Sequence, residues 1–202
     1  RLTVGLSAAA FMTRAVREAK KYSEFRDAFG VKIGMFPMVK GQVDEIEKFA
    51  KRTTAGAFRL YRDFLSLEGT DSSKDTPDTK RKRFAVRELI MLQKITASMD
   101  STDVIRKAMS IFGGHGIMED FSSLPRLYRD SAINELWEGP RNVLLTQMHR
   151  DLQKAAAWYS PAELVPDILK GADPAAVKSF SDELAAIIAH KSLLMPGDET
   201  VR

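Results

Sequence analysis

"PMVKGQVDEIEKFAKRTTAGAFRLYRDFLSL", residues 37–67, decides the fold. Val39, Val43, Ile46, Phe49 and Ala50 follow one another at intervals of 4, 3, 3 and 1, the recurrence of an apolar stripe on a 3.6-residue helix. Pro37 suits a first helical turn, where its missing N–H costs nothing. A helix this long with one apolar face needs partners of similar length.

The flanks supply them. Upstream, residues 2–27 read as helix, with Leu6, Phe11, Ala15 and Val16 near helical spacing. "AFGVKIGMFP" (28–37), with two glycines and a proline, breaks the pattern and serves as a connector. Downstream, "EGTDSSKDTPDT" (68–79) is a polar loop, and a second long helix is expected over 77–111. Its stripe is read as Ala85, Leu89, Leu92, Thr96 and Met99. "FGGHG" (112–116) ends it, with glycines available for a left-handed cap. "IMEDFSSLPRLYRDSAI" (117–133) reads as irregular, with one helical turn at 124–129. Helix resumes at Pro140 and continues to Trp158, and two more helices fit 161–170 and 174–192. No stretch alternates as a strand. The expectation is all-α: an up-down four-helix bundle over 1–150, with 151–202 a helical extension of the same domain.

Composition narrows the chemistry. The chain has 202 residues, 44% of them hydrophobic, enough for one sizeable core. There is no cysteine, so disulfides, thiolate catalysis and zinc–thiolate sites are excluded. The three histidines, His115, His149 and His190, include no i, i+4 pair, and no metal site is expected. No apolar run reaches membrane-span length and no signal peptide is visible, so a cytoplasmic or organelle-matrix location is expected. The net charge of +4 is mildly basic, and its one cluster, Lys80–Arg83, reads first as a solvated helix start and second as a nucleic-acid footprint. Helix begins at Leu2 with no capping signal before it, and "PGDETVR" (196–202) stops without a closing one. The expectation is a piece of a longer polypeptide.

Three places could carry chemistry. In "FGGHG", Gly113 and Gly114 form either a plain helix cap or bare backbone that a cofactor phosphate can approach. In "EFRDAFG" (24–30), Arg26 is either a solvated charge or a fork for an anion such as pyrophosphate. In "NELWEGPRN" (134–142), Glu138 is either a carboxylate favoured by the helix start that follows, or a base whose pKa is raised because Leu136 and Trp137 desolvate it.

Taken in order, "KYSEFRDAFGVKI", "SIFGGHGI", "LPRLYRD" and "INELWEGPRNVLL" resemble the C-terminal domain of the acyl-CoA dehydrogenase family. The resemblance covers about residues 1–150. It implies a flavoprotein of which this chain is the C-terminal helical bundle, assembling through such bundles into homodimers or homotetramers. It implies α,β-dehydrogenation of an acyl-CoA thioester. Glu138 would remove the α-proton and FAD would take the hydride, with electron-transfer flavoprotein as acceptor. By the same resemblance, Arg26 and Phe29 would touch the FAD of a neighbouring subunit, Gly113 and Gly114 its pyrophosphate or adenosine, and Asn142 the flavin. Trp137 would wall the acyl pocket, and the backbone at Glu138–Gly139 would face the thioester.

The chain departs from the family pattern at Pro140, where many members have Thr or Ser, at Ser110 in place of a common Gln, and at Pro37. Pro37, "LPRLYRD" and "NELWEG" resemble the branch of the bacterial alkylation-response flavoproteins, which implies a second reading: an FAD protein that meets nucleic acid. A non-catalytic assembly bundle is a third. Some members carry the base on the opening helix, one position before Arg1. The chain by itself is expected to fold and self-associate but to bind FAD weakly or not at all.

Overall fold

The computed structural model describes residues 1–190 and divides them into two compact units. One comprises Arg1–Ser66 and Ile90–Pro140, the other Leu67–Leu89 and, of the described residues, 141–190. Seven α-helices lie among the described residues: α1 Leu2–Phe25, α2 Pro37–Leu65, α3 Pro77–Phe112, α4 Leu124–Leu136, α5 Arg141–Ala155, α6 Pro161–Ile168 and α7 Pro174–Ala189. Positions 191 and 192 of the expected last helix, and the tail after them, fall outside the described residues.

In the first unit α1, α2, the later part of α3, and α4 form the expected up-down bundle. Side-chain pairs show the directions. Gln42 donates to Ser110 Oγ at 2.6 Å, Lys107 pairs with Glu45 at 2.7 Å, and Arg52 pairs with Asp100 at 2.9 Å, so α2 and α3 run in opposite senses. Ser131 Oγ donates to Ser101 Oγ at 2.7 Å and Ser98 Oγ to the Asn134 carbonyl at 3.3 Å, so α4 reverses α3. Met12, Ala15, Ile46, Ile105, Ala108 and Leu124 lie at the centre of the core these helices enclose.

Three expectations are corrected. Residues 124–136 are a full helix rather than a single turn. Pro125 sits in its first turn, where proline is tolerated, and Leu124, Leu127, Ser131 and Asn134 recur as a buried stripe half made of polar residues. The stripe read on α3 lies on the wrong face: Leu92, Thr96 and Met99 are exposed, while Met91, Lys94, Ile95, Ser98 and Ser101 are buried. Polar residues on the inner face erased the hydrophobic signal. Finally, the 28–37 connector holds a two-stranded hairpin, β1 Asp27–Ala28 and β2 Val31–Lys32. Its turn, Phe29–Gly30, has φ of 53° and 83°, the doubly positive arrangement whose twist suits a two-residue hairpin.

The second unit gathers the start of α3 with α5–α7. Arg83 grips Asp75 through two hydrogen bonds of 2.6 and 2.8 Å, closing the loop ahead of α3. Phe84 packs edge-on against Trp158 and Tyr159. The Tyr159 hydroxyl donates to Asp167 at 2.7 Å, and burial pushes that phenol's pKa up. Among the described residues no helix is long and apolar enough to cross a membrane.

Candidate functional site

The chain leaves α4 at Trp137 and turns sharply at Glu138 and Gly139, with φ of 57° and 102°, before α5 begins at Arg141. A left-handed glutamate is uncommon and persists only where its surroundings hold it. Two cationic side chains do so. Arg1 Nε donates to the Glu138 carbonyl at 3.0 Å, and Lys94 Nζ donates to the Gly139 carbonyl at 2.7 Å and to the Glu135 carbonyl at 3.2 Å. Trp137 is fixed through its indole N–H, which donates to Asn134 Oδ1 at 2.8 Å.

The dry pocket expected around Glu138 is not formed by this chain. The Glu138 side chain is 59% exposed, and Leu136 and Trp137 turn outward beside it. They fail to desolvate it because the turn aims all three away from the core.

At the far end of α1 stands a second group of predicted residues. Arg26 is exposed and makes no ion pair among the described residues, and Phe29 is 97% exposed at the hairpin tip. Tyr22, one turn before Arg26, stacks on Phe112 with centroids 4.1 Å apart, and its hydroxyl lies 3.1 Å from His115 Nδ1. Tyr22 thereby ties the end of α1 to the glycine loop. Gly113, at φ 61°, ends α3 in the expected left-handed conformation. A Cβ added at Gly113 or Gly114 would meet nothing within 4 Å, whereas one at Gly116 would stand 2.2 Å from the Met109 carbonyl oxygen. Gly116 therefore serves packing, while the first two glycines expose open backbone.

Arg26, Phe29, Gly113 and Gly114 thus share one end of the bundle, and Trp137, Glu138 and Gly139 the other. Twenty-four helical residues, about 36 Å, separate them. Asn142, exposed, belongs to the second unit.

The acyl-CoA dehydrogenase C-terminal domain family matches residues 1–153. The chain belongs to the acyl-CoA dehydrogenase family. Among its curated relatives, AidB of Escherichia coli is 27% identical over 159 residues, covering 79% of this chain and 27% of the relative. Acyl-CoA dehydrogenase family member 11 of Caenorhabditis elegans is 28% identical over 134 residues, 66% of this chain and 21% of the relative. The chain thus spans about a quarter of the length of these curated relatives. Among solved structures, Caenorhabditis elegans ACDH-11 in complex with C11-CoA superposes with a TM-score of 0.73 at 23% identity, over 93% of this chain and 32% of that one. An acyl-CoA dehydrogenase complexed with FAD from Bacillus anthracis superposes with a TM-score of 0.69 at 18% identity, over 96% and 38%. These likenesses extend the acyl-CoA dehydrogenase fold into α5–α7.

Two features of this acyl-CoA dehydrogenase domain escaped the sequence. Lys94, which no sequence pattern singled out, is 1% exposed; only its place on a face otherwise bearing Met91, Ile95 and Ser98 could have flagged it. The basic cluster is largely engaged within the second unit. Arg81 pairs with Glu163 at 2.6 Å, Arg83 with Asp75, and Lys80 lies 4.3 Å over the Trp158 ring. Among the described residues no group of three acidic or histidine side chains could hold a metal ion.

Proposed function

We propose that this chain is the C-terminal bundle of a flavoprotein that desaturates acyl-CoA thioesters between Cα and Cβ, with Glu138 as the base. The observation that carries the reading is the turn after α4. It holds a water-accessible carboxylate in a fixed, left-handed backbone conformation, within the segment whose sequence resembles the family's base-bearing stretch.

The chain's own residues fit an FAD at the other end of α1. Arg26 offers an exposed guanidinium, without an ion pair among the described residues, for a pyrophosphate, Phe29 an exposed ring, and Gly113–Gly114 backbone with open space beside it. Because these lie about 36 Å along α1 from Glu138, one chain cannot present both ends to the same flavin. We assign Arg26, Phe29 and the glycines to the FAD of a neighbouring copy, which makes a homodimer or homotetramer part of the proposal. Asn142 is assigned to a flavin contact by the resemblance.

When bound, FAD supplies the acceptor for the hydride leaving Cβ. Glu138 takes the proton leaving Cα onto a carboxylate oxygen, and the pair of electrons left behind closes the double bond as the hydride departs. The Glu138 backbone N–H, presented by the turn, donates to the thioester carbonyl and stabilises negative charge developing there. Trp137, held by Asn134, walls the acyl chain. Exposure of Glu138 fits a site completed by surfaces outside this chain. Electron-transfer flavoprotein is the electron acceptor the reading implies.

The test is anaerobic mixing of the flavin-loaded protein with a panel of acyl-CoA thioesters while the oxidised flavin band is followed. Bleaching by one class is expected, slowed on the order of 10³-fold in Glu138→Gln. Equal bleaching in Glu138→Gln would remove the base assignment.

A further inference from the structure

The turn that carries Glu138 is set at the end of a polar seam between α3 and α4. Along α3, Ser101, Ser98 and Lys94 are all buried at spacings of 3 and 4, and each meets α4 or its end. Ser131 donates to Ser101, Lys94 donates to the Glu135 and Gly139 carbonyls, and the Ser98 hydroxyl, bonded at 2.7 Å to the Lys94 carbonyl of its own helix, also lies 3.3 Å from the Asn134 carbonyl. Apolar ridges tolerate sliding. A run of hydrogen bonds does not, because each buried donor or acceptor left unmade costs its full desolvation. The seam therefore fixes how far along α3 the end of α4 stops.

Lys94 occupies the last position of the seam. Its ammonium bonds the Glu135 carbonyl in the last turn of α4, where positive charge is favoured by the helix dipole, and reaches past it to the Gly139 carbonyl, on the peptide after Gly139. An ammonium at 1% exposure is costly to bury, and burial holds its pKa below the ordinary lysine value, with Arg1 adding to that effect and Glu135 and Glu138 opposing it. Shorter neutral donors would satisfy a helix end at lower cost. What the long side chain adds is a bridge from the helix end to the left-handed turn.

We infer that Lys94 is a positioning residue for the proposed reaction: its two hydrogen bonds hold the Glu138–Gly139 turn in register with α4, and so set where the base stands. This rests on the reading of Glu138 as the base, and its tests separate the two ideas.

Lys94→Met keeps the length of the side chain and removes its donors. Hydrogen–deuterium exchange of the 202-residue chain should show amides from Leu136 to Arg141 exchanging about 10-fold faster or more, while buried amides of α1 and α2 keep their protection. In the flavin-loaded protein, flavin reduction by the reactive thioester should slow about 10-fold to 100-fold while the thioester's dissociation constant stays within about 3-fold, and Lys94→Arg should recover part of the rate. Unchanged exchange at 136–141 in Lys94→Met overturns the inference. So does a loss of rate matched by loss of thioester binding and of core protection, which would mark a general structural role. Should Lys94→Met not fold, the unaltered protein decides. A slowly exchanging Lys94 ammonium signal in ¹⁵N spectra is expected, and a freely exchanging one overturns the inference. If no thioester bleaches the unaltered protein, the proposed reaction fails, and the exchange result still decides whether Lys94 holds the turn.

Discussion

The ring of Tyr22 lies almost parallel to that of Phe112, 13° apart, with centroids 4.1 Å from each other. One belongs to the last turns of α1 and the other to the last residue of α3. Phe121 closes on both rings edge-on, so three aromatic residues from separate segments lock the end of the bundle that bears Arg26 and the glycine loop.

Removing that lock should be costly. Tyr22→Ala is expected to lose about 3 kcal/mol of stability, and Tyr22→Phe, which removes only the hydroxyl facing His115, about 1 kcal/mol. Chemical denaturation of the two variants measures the difference.

The three glycines of "FGGHG" should separate cleanly. Gly116→Ala drives a methyl into the Met109 carbonyl, a backbone atom that cannot swing aside, and should cost about 3 kcal/mol. Gly113→Ala should cost about 1 kcal/mol through its left-handed φ alone. Gly114→Ala meets open space and should leave the melting temperature nearly unchanged, while weakening FAD retention if the proposed flavin contact is right. A stable Gly116→Ala would contradict the packing.

Phe29 is strained and exposed at once, a combination that stability alone does not favour. Phe29→Asn should stabilise the hairpin by about 1 kcal/mol, because Asn tolerates positive φ. The same change should lower flavin affinity in the assembled protein. A gain in stability with full flavin retention would exclude Phe29 from the cofactor site.

Glu88 supplies a pH dependence. It is 4% exposed on α3, and neither carboxylate oxygen has a hydrogen-bond partner among the described residues. Burial, with Asp151 adding and Arg87 opposing, raises its pKa from the ordinary 4.5 to about 7. The folded state therefore holds this proton more tightly than the unfolded chain. The resulting stabilisation is present in full below about pH 4.5 and is lost as pH rises through about 7, amounting to at most about 3 kcal/mol. Glu88→Gln should flatten that part of the stability–pH curve; an unchanged curve would show that Glu88 is not its source.

Local rules recorded most of the helices in the sequence. α1, α2 and α3 follow from apolar recurrence ended by "AFG", a polar loop and "FGG". α4 was hidden because Ser131 and Asn134 stand where apolar residues would have signalled its buried face, and the α3 face was misread because Lys94, Ser98 and Ser101 do the same there. The two errors share a cause, since these polar groups meet across the same helix pair: Ser131 donates to Ser101, and Lys94 to the end of α4.

The sequence by itself determined the helical class, the helix ends marked by glycine and proline, and the residue types at the candidate site: Glu138 ahead of Gly–Pro, Arg26 ahead of Phe–Gly, and paired glycines after α3. These are matters of local backbone preference and periodicity. Only the tertiary structure decided that Glu138 stands exposed in a left-handed turn, that Lys94 is buried beneath it, and that Arg26 and Glu138 lie at opposite ends of α1. A polar group can be buried only when the fold delivers its partner, and a strained φ persists only when distant residues hold it. Both depend on contacts between residues far apart in the chain, which no local pattern contains.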